Sequence, residues 1–133
     1  MSGCTVTIHH VTLTVTDVDR SMDWYRALLG EGVEFELNGP SWVRRGISWP
    51  NGTMIGFTRH ESTADADSFD FTRVGMDHLA IGCDDEAEVR AMADRCDELG
   101  IEHGPVEDTP YAWVLTCRDP DQIAVEFFCY KPQ

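Results

Sequence analysis

The chain has 133 residues, with 10 basic against 24 acidic side chains, a formal charge of −14 and a hydrophobic content of 42%. That length is enough for one domain with its own core. The charge argues against nucleic-acid binding, which needs a basic surface for phosphate contacts, and no stretch approaches the roughly 20 apolar residues of a membrane span. The opening MSGCTVTIHH has neither a basic start nor an apolar signal core, so a cytoplasmic protein is expected. Five cysteines, at 4, 83, 96, 117 and 129, form no C-x-x-C. An odd, scattered set is neither a disulfide framework nor a zinc knuckle. Cys83, Cys96 and Cys129 fall at apolar phases and read as small core residues.

In chain order, the first element is an alternating strand. Val11, Leu13 and Val15 point one way, and His10, Thr12 and Thr14 the other. By the same alternation His9 falls opposite His10 and reads as structural. A helix follows, capped by Asp17 or Asp19, with Val18, Met22, Tyr25 and Leu29 at helical spacing and Gly30 as its stop. Strands are expected at about 33–37, 41–48 and 53–58, the last two joined by the turn WPNG. The polar, acidic segment 61–74 reads as a linker. The order then repeats. A strand sets Leu79, Ile81 and Cys83 against His78, Ala80 and Gly82. A helix follows with an Asp85/Glu88 capping box and the stripe Val89, Met92, Ala93, Cys96 and Leu99. Strands are then expected at about 101–103, 112–117 and 123–129, with the turn DPDQ before the last.

The predicted architecture is therefore α+β: one domain over 1–133 made of two βαβββ modules, about 6–60 and 75–130. The repeat is visible residue by residue. His10 matches His78 and Leu13 matches Ile81; after a two-residue shift Gly30 matches Gly100, Pro50 matches Pro120, and Phe57 matches Phe127. Glu126 then falls opposite Gly56.

Glu126 lies in the apolar run AVEFFC. A carboxylate buried there without a partner costs several kcal/mol as a rough guide, and a bound cation offsets that cost. One histidine opening a strand is more often structural than a ligand. Two at equivalent points of a repeat, both on the face of small residues, are a stronger signal. His10, His78 and Glu126 make a two-histidine, one-carboxylate ligand set that leaves positions open for substrate or water.

The segments HHVTLTVTDVDRSMDWYRALLG (9–30), GMDHLAIGCDD (75–85) and RDPDQIAVEFF (118–128) together resemble the vicinal oxygen chelate superfamily. That superfamily includes glyoxalase I, extradiol dioxygenases, epimerases, fosfomycin-resistance enzymes and bleomycin-resistance proteins. The resemblance places His10, His78 and Glu126 on metal-ligand positions and implies paired modules whose sheet curls around a metal cleft. It implies a divalent cation (Fe2+, Mn2+, Zn2+ or Ni2+), a small-molecule substrate and a homodimer. Glyoxalase I carries a fourth ligand where this chain has Gly56, which points away from ordinary glyoxalase I chemistry. The extradiol His-Tyr-Pro signature and a basic cluster after Glu126 are also missing from the sequence.

The expected function is metal-dependent chemistry on a compound that chelates through adjacent oxygens, dioxygenase-like or lyase/isomerase-like. The alternative is a metal-free, bleomycin-resistance-type sequestering protein. Tyr111 and His60 are the acid/base candidates. Phe128, Trp113, Trp42 and Met54 are candidate pocket walls, Phe128 because it shares the phase of Glu126. Arg44 and Arg45 are adjacent in a strand, so one faces each side, and Arg44 is the candidate for binding a substrate anion.

Overall fold

The computed structural model describes residue 3 and residues 5–133; Cys4 lies outside the described residues. The chain divides into two compact units, residues 1–65 and 66–133. The boundary falls inside the acidic segment, and its second half packs on unit 2: the Phe69 amide donates to the Asp121 carbonyl, and Arg118 lies over the Phe71 ring.

Unit 1 contains β1 (Val11–Thr14), α1 (Val18–Leu29), β2 (Val33–Asn38), β3 (Trp42–Ser48) and β4 (Met54–His60). Its sheet order is β1-β4-β3-β2, with β1 and β4 parallel and the other pairs antiparallel. Unit 2 contains β5 (Leu79–Gly82), α2 (Glu86–Glu98), β6 (Glu107–Asp108), β7 (Ala112–Arg118) and β8 (Ala124–Tyr130), in the order β5-β8-β7-β6 with the same parallel first pair. The tandem βαβββ, α+β reading of the sequence holds. The repeat extends to individual backbone bonds: Val15 N–H donates to Thr58 O in unit 1 and Cys83 N–H to Phe128 O in unit 2. The two turns match as well. Gly52 and Gln122 occupy the same left-handed position, with φ of 94° and 69°. A glutamine tolerates that conformation less well than a glycine does.

In unit 1 the alternation of β4 sends Ile55 and Phe57 to one side, where they are buried with Ile47. There they meet the apolar stripe of α1: Tyr25 and Phe57 have ring centroids 4.7 Å apart, and Met22 is wholly buried. Asp17 caps α1 by accepting from the Arg20 amide. The stripe ends on Leu28 rather than on the expected Leu29, which is half-buried in the helix's last position. In unit 2 only Val89 and Cys96 of α2 are buried. Asp85 caps α2, and the Glu88 carboxylate reaches back to the Asp84 amide. Met92 and Ala93 are half-buried, and Leu99 is the exposed C-cap residue, outside the stripe expected of it.

Two further expectations are corrected. The segment 101–103 is not a strand; only His103 bridges to Cys117, and the strand forms later, at Glu107–Asp108. Pro105 interrupts the ladder after Gly104, whose amide still donates to Thr116 O, since proline has no amide to donate. His9 and His10 do not alternate across a sheet, because pairing begins at Val11 and nothing imposes a pleat on the residues before it. Of the cysteines expected in the core, Cys96 and Cys129 are buried and Cys83 partly so; Cys117 is buried as well. Burial pushes the Cys83 thiol up to about 11 and that of Cys117 to about 12, so both are protonated and unreactive near neutrality.

Candidate metal centre and substrate face

Each sheet has one face covered by its helix and one turned away from it. On the uncovered face of unit 2, cross-strand neighbours form rows. Ala80, Glu126 and Thr116 make one row, and Gly82, Phe128 and Val114 the next. Glu126 therefore projects from the third position of an inner strand, between an alanine and a threonine, and its side chain is 20% exposed. Phe128 shares its face, as its phase predicts, and stacks edge-on with Tyr130 at 4.8 Å.

His78 immediately precedes β5, and its Nε2 stands 3.6 Å from Glu126 Oε2. Its Nδ1 lies 2.8 Å from Asp77 Oδ1. A carboxylate there holds the proton on Nδ1 and leaves the Nε2 lone pair facing Glu126, the arrangement that commonly orients a metal-binding imidazole. Two donors sharing a cation at about 2.1 Å each stand roughly 3–3.5 Å apart. The observed separation is close to that and too long for a direct hydrogen bond. Nitrogen and carboxylate oxygen are donors that Fe2+, Mn2+, Zn2+ and Ni2+ accept, so the residues fit a divalent cation. Asp77 was not singled out from the sequence; the adjacency of an acid to a candidate ligand was the available signal.

His10 belongs to the other unit, where it immediately precedes β1 as His78 precedes β5. It is exposed, and its Nδ1 lies 2.8 Å from His9 Nδ1 with the rings edge-on. One nitrogen of that contact carries the proton. If His10 donates, its Nε2 is left free, as metal ligation requires. In both units the residue before the histidine thus occupies its Nδ1. Among the described residues no group of three or more His, Cys, Asp and Glu side chains is gathered within either unit; His78 and Glu126 are the two candidate ligands that share one.

The uncovered face of unit 1 carries different side chains. Its first row is Thr12, Gly56, Gly46 and Phe35, and its second is Thr14, Thr58, Arg44 and Leu37. Met54, paired with Ser48, and the Trp42–His60 pair share that face. Arg45 points to the helix side, where it pairs with Asp19 at 2.7 Å and Glu34 at 3.0 Å. Trp113 pairs with Cys129 and shares the phase of Leu115 and Phe127, so it lies on the α2 side, opposite to Glu126. Pairing register explains this, since Glu126 aligns with Thr116 and every odd position of β7 faces the other way. Tyr111 is exposed just before β7.

Comparison with known proteins identifies the family and the fold. No curated protein matches the chain. Among solved structures, a glyoxylase/bleomycin resistance protein/dioxygenase domain from Frankia sp. EAN1pec is 29% identical, with a TM-score of 0.83 over 98% of this chain and 99% of that one. A glyoxalase family protein from Enterococcus faecalis is 22% identical, with a TM-score of 0.74 over 94% and 98% of the two chains. A fosfomycin resistance protein from Listeria monocytogenes, complexed with Mn(II) and sulfate, shares the fold at 17% identity, with a TM-score of 0.68 over 95% and 93%. The family model of the glyoxalase/bleomycin resistance protein/dioxygenase superfamily matches residues 7–127, and the chain belongs to that superfamily.

Proposed function

We propose that the chain is a metal-dependent enzyme of the vicinal oxygen chelate type, acting on a small molecule that binds the cation through two adjacent oxygens. His78 and Glu126 would hold the cation, and the family resemblance implies His10 as a third ligand. The observation that carries this reading is the convergence of His78 Nε2 and Glu126 Oε2 at 3.6 Å, with Asp77 fixing the imidazole from behind. A divalent cation bound there supplies Lewis acidity and open positions for substrate oxygens. The protein's own part is to orient the ligands and to present a face of small residues, Ala80 and Thr116, beside Glu126. Phe128 in the next row gives the substrate an apolar wall and keeps water from that side. The reaction is dioxygenase-like or lyase/isomerase-like. Gly56 leaves the equivalent position of unit 1 without a carboxylate to move a proton, so His60 and Tyr111 are the proposed acid/base groups.

The test is Mn(II) titration of metal-free protein, followed by the loss of the free-ion electron paramagnetic resonance signal. Wild type is expected to bind saturably, and Glu126→Gln and His78→Ala to weaken binding by about 10-fold or more. Binding unchanged in both variants, or absent from wild type, would sink the metal reading. Oxygen uptake by the iron-loaded protein with catechols then separates the dioxygenase branch from redox-neutral chemistry.

A further inference from the structure

Arg44 is set apart from three of the other arginines of unit 1. Arg26 pairs with Asp23 and Glu34, Arg45 with Asp19 and Glu34, and Arg59 with Asp65. Among the described residues no carboxylate pairs with Arg44, although the chain carries 24 acids. Its guanidinium is nevertheless held from two directions. Nε donates to Thr58 Oγ1 at 2.7 Å, and Thr58 is buried in the neighbouring strand. The guanidinium carbon lies 4.3 Å from the centroid of the Trp42 ring. That ring is itself seated against Gly39, where a Cβ would stand 2.3 Å from it. Among the described residues no acceptor meets the Nη edge of the fork.

Beside the fork the face is flat and apolar. Gly46 admits the Phe35 ring, whose Cζ would lie 2.2 Å from a Cβ at that position, and Leu37 flanks Arg44 in its own row. The row of Gly56 and Gly46 is one pleat repeat from the row of Arg44, about 7 Å along the strands. A charged fork fixed by stacking and one hydrogen bond has little rotamer freedom left to lose on binding, so it is pre-organised for a planar oxyanion.

We infer that the uncovered face of unit 1 binds the carboxylate of a small substrate with a flat apolar body, the carboxylate on the Nη edge of Arg44 and the body against Phe35 and Trp42. A single unpaired cation matches a single negative charge. A phosphate dianion would bring a second charge into a chain whose formal charge is already −14. The inference rests on the proposed function for the substrate's other end, but the carboxylate subsite stands on unit 1 alone.

The experiment is calorimetric titration of metal-free protein with benzoate, benzyl alcohol and inorganic phosphate. Benzoate is expected to bind best. Arg44→Met should weaken benzoate about tenfold or more, and Arg44→Lys should not restore it, because lysine keeps the charge and loses the fork. Unchanged benzoate affinity in Arg44→Met would overturn the assignment, as would phosphate or benzyl alcohol binding as tightly as benzoate. Should the variants not fold, the side-chain Nε–H resonance of Arg44 in the wild type decides: it should shift on adding benzoate, and a stationary resonance refutes the subsite. Because the titration uses metal-free protein, benzoate binding is read independently of the cation. Loss of Mn(II) binding with benzoate intact would remove the proposed function alone, and the reverse result would remove only the carboxylate subsite.

Discussion

Units 1 and 2 share a backbone, down to matching turns and parallel first pairs, and differ in what their side chains do. Where unit 2 places Thr116 and Glu126, unit 1 places Gly46 and Gly56; where unit 2 places Val114 and Phe128, unit 1 places Arg44 and Thr58. One face thus offers a carboxylate beside an apolar wall, and the other a cation beside an open floor. The helices diverge in the opposite sense. Met22 and Tyr25 anchor α1 in a dense core, whereas α2 buries only Val89 and Cys96. Charge follows the same division, with eight acids against five arginines in residues 1–65 and sixteen against five cations in 66–133. A duplicated frame can keep its hydrogen bonds while its two faces diverge, because a pleated strand lets one face change without disturbing the other.

The largest contrast should appear in stability. Met22 and Met92 occupy equivalent helix positions, one wholly buried and one half-buried. Met22→Ala should cost about 2–5 kcal/mol and Met92→Ala less than about 1.5 kcal/mol, read from urea unfolding. Equal losses would mean that the two helices contribute alike. A smaller effect should follow from giving unit 1 the carboxylate it lacks. In Gly56→Glu the new Cβ would meet Thr12 Oγ1 at 3.2 Å, a contact that a shift of a few tenths of an ångström relieves. The substitution should cost about 1–3 kcal/mol without metal. If the equivalent row takes part in cation binding, Mn(II) should then raise the variant's melting temperature more than it raises that of the wild type. An equal rise would confine binding to the present ligands.

The smallest effect is a pH dependence special to unit 2. The His103 pKa is raised, first by its hydrogen bond to Asp97 at 2.7 Å and then by the Gly104 carbonyl. Folding therefore tightens its proton. The resulting stabilisation is complete below the unfolded-state value near 6.5 and fades as pH rises through the higher folded value. His103→Gln should flatten the fall of melting temperature across about pH 6 to 8. A wild-type slope that survives the substitution would assign it to other groups.

The sequence made the duplicated βαβββ order legible because both modules repeat a strong alternation followed by a helical stripe and a glycine stop. It also placed Glu126 and Phe128 on one face, since period-2 phase carries over to faces. Trp113 went to the wrong face for a pocket wall because a side chain's face depends on register with the partner strand, which one strand's pattern does not contain. The strand expected at 101–103 formed later, because Pro105 breaks the ladder between the His103 bridge and Glu107. Asp77 and the Thr58–Trp42 support of Arg44 were illegible for a related reason: each is a side-chain contact made by chain pairing, not by local periodicity.

The parallel pairing of β5 with β8 has a consequence for folding. His78 immediately precedes the first strand of its unit and Glu126 lies on the last, nearly fifty residues apart in sequence, yet they are brought to 3.6 Å. Closing so long a loop is slow, and the reward comes only when the last strand docks. The ligand pair is therefore among the last features of unit 2 to form. A cation that needs both residues would bind the finished unit and not a partly folded one, so its capture would report that the second half of the chain has completed its fold.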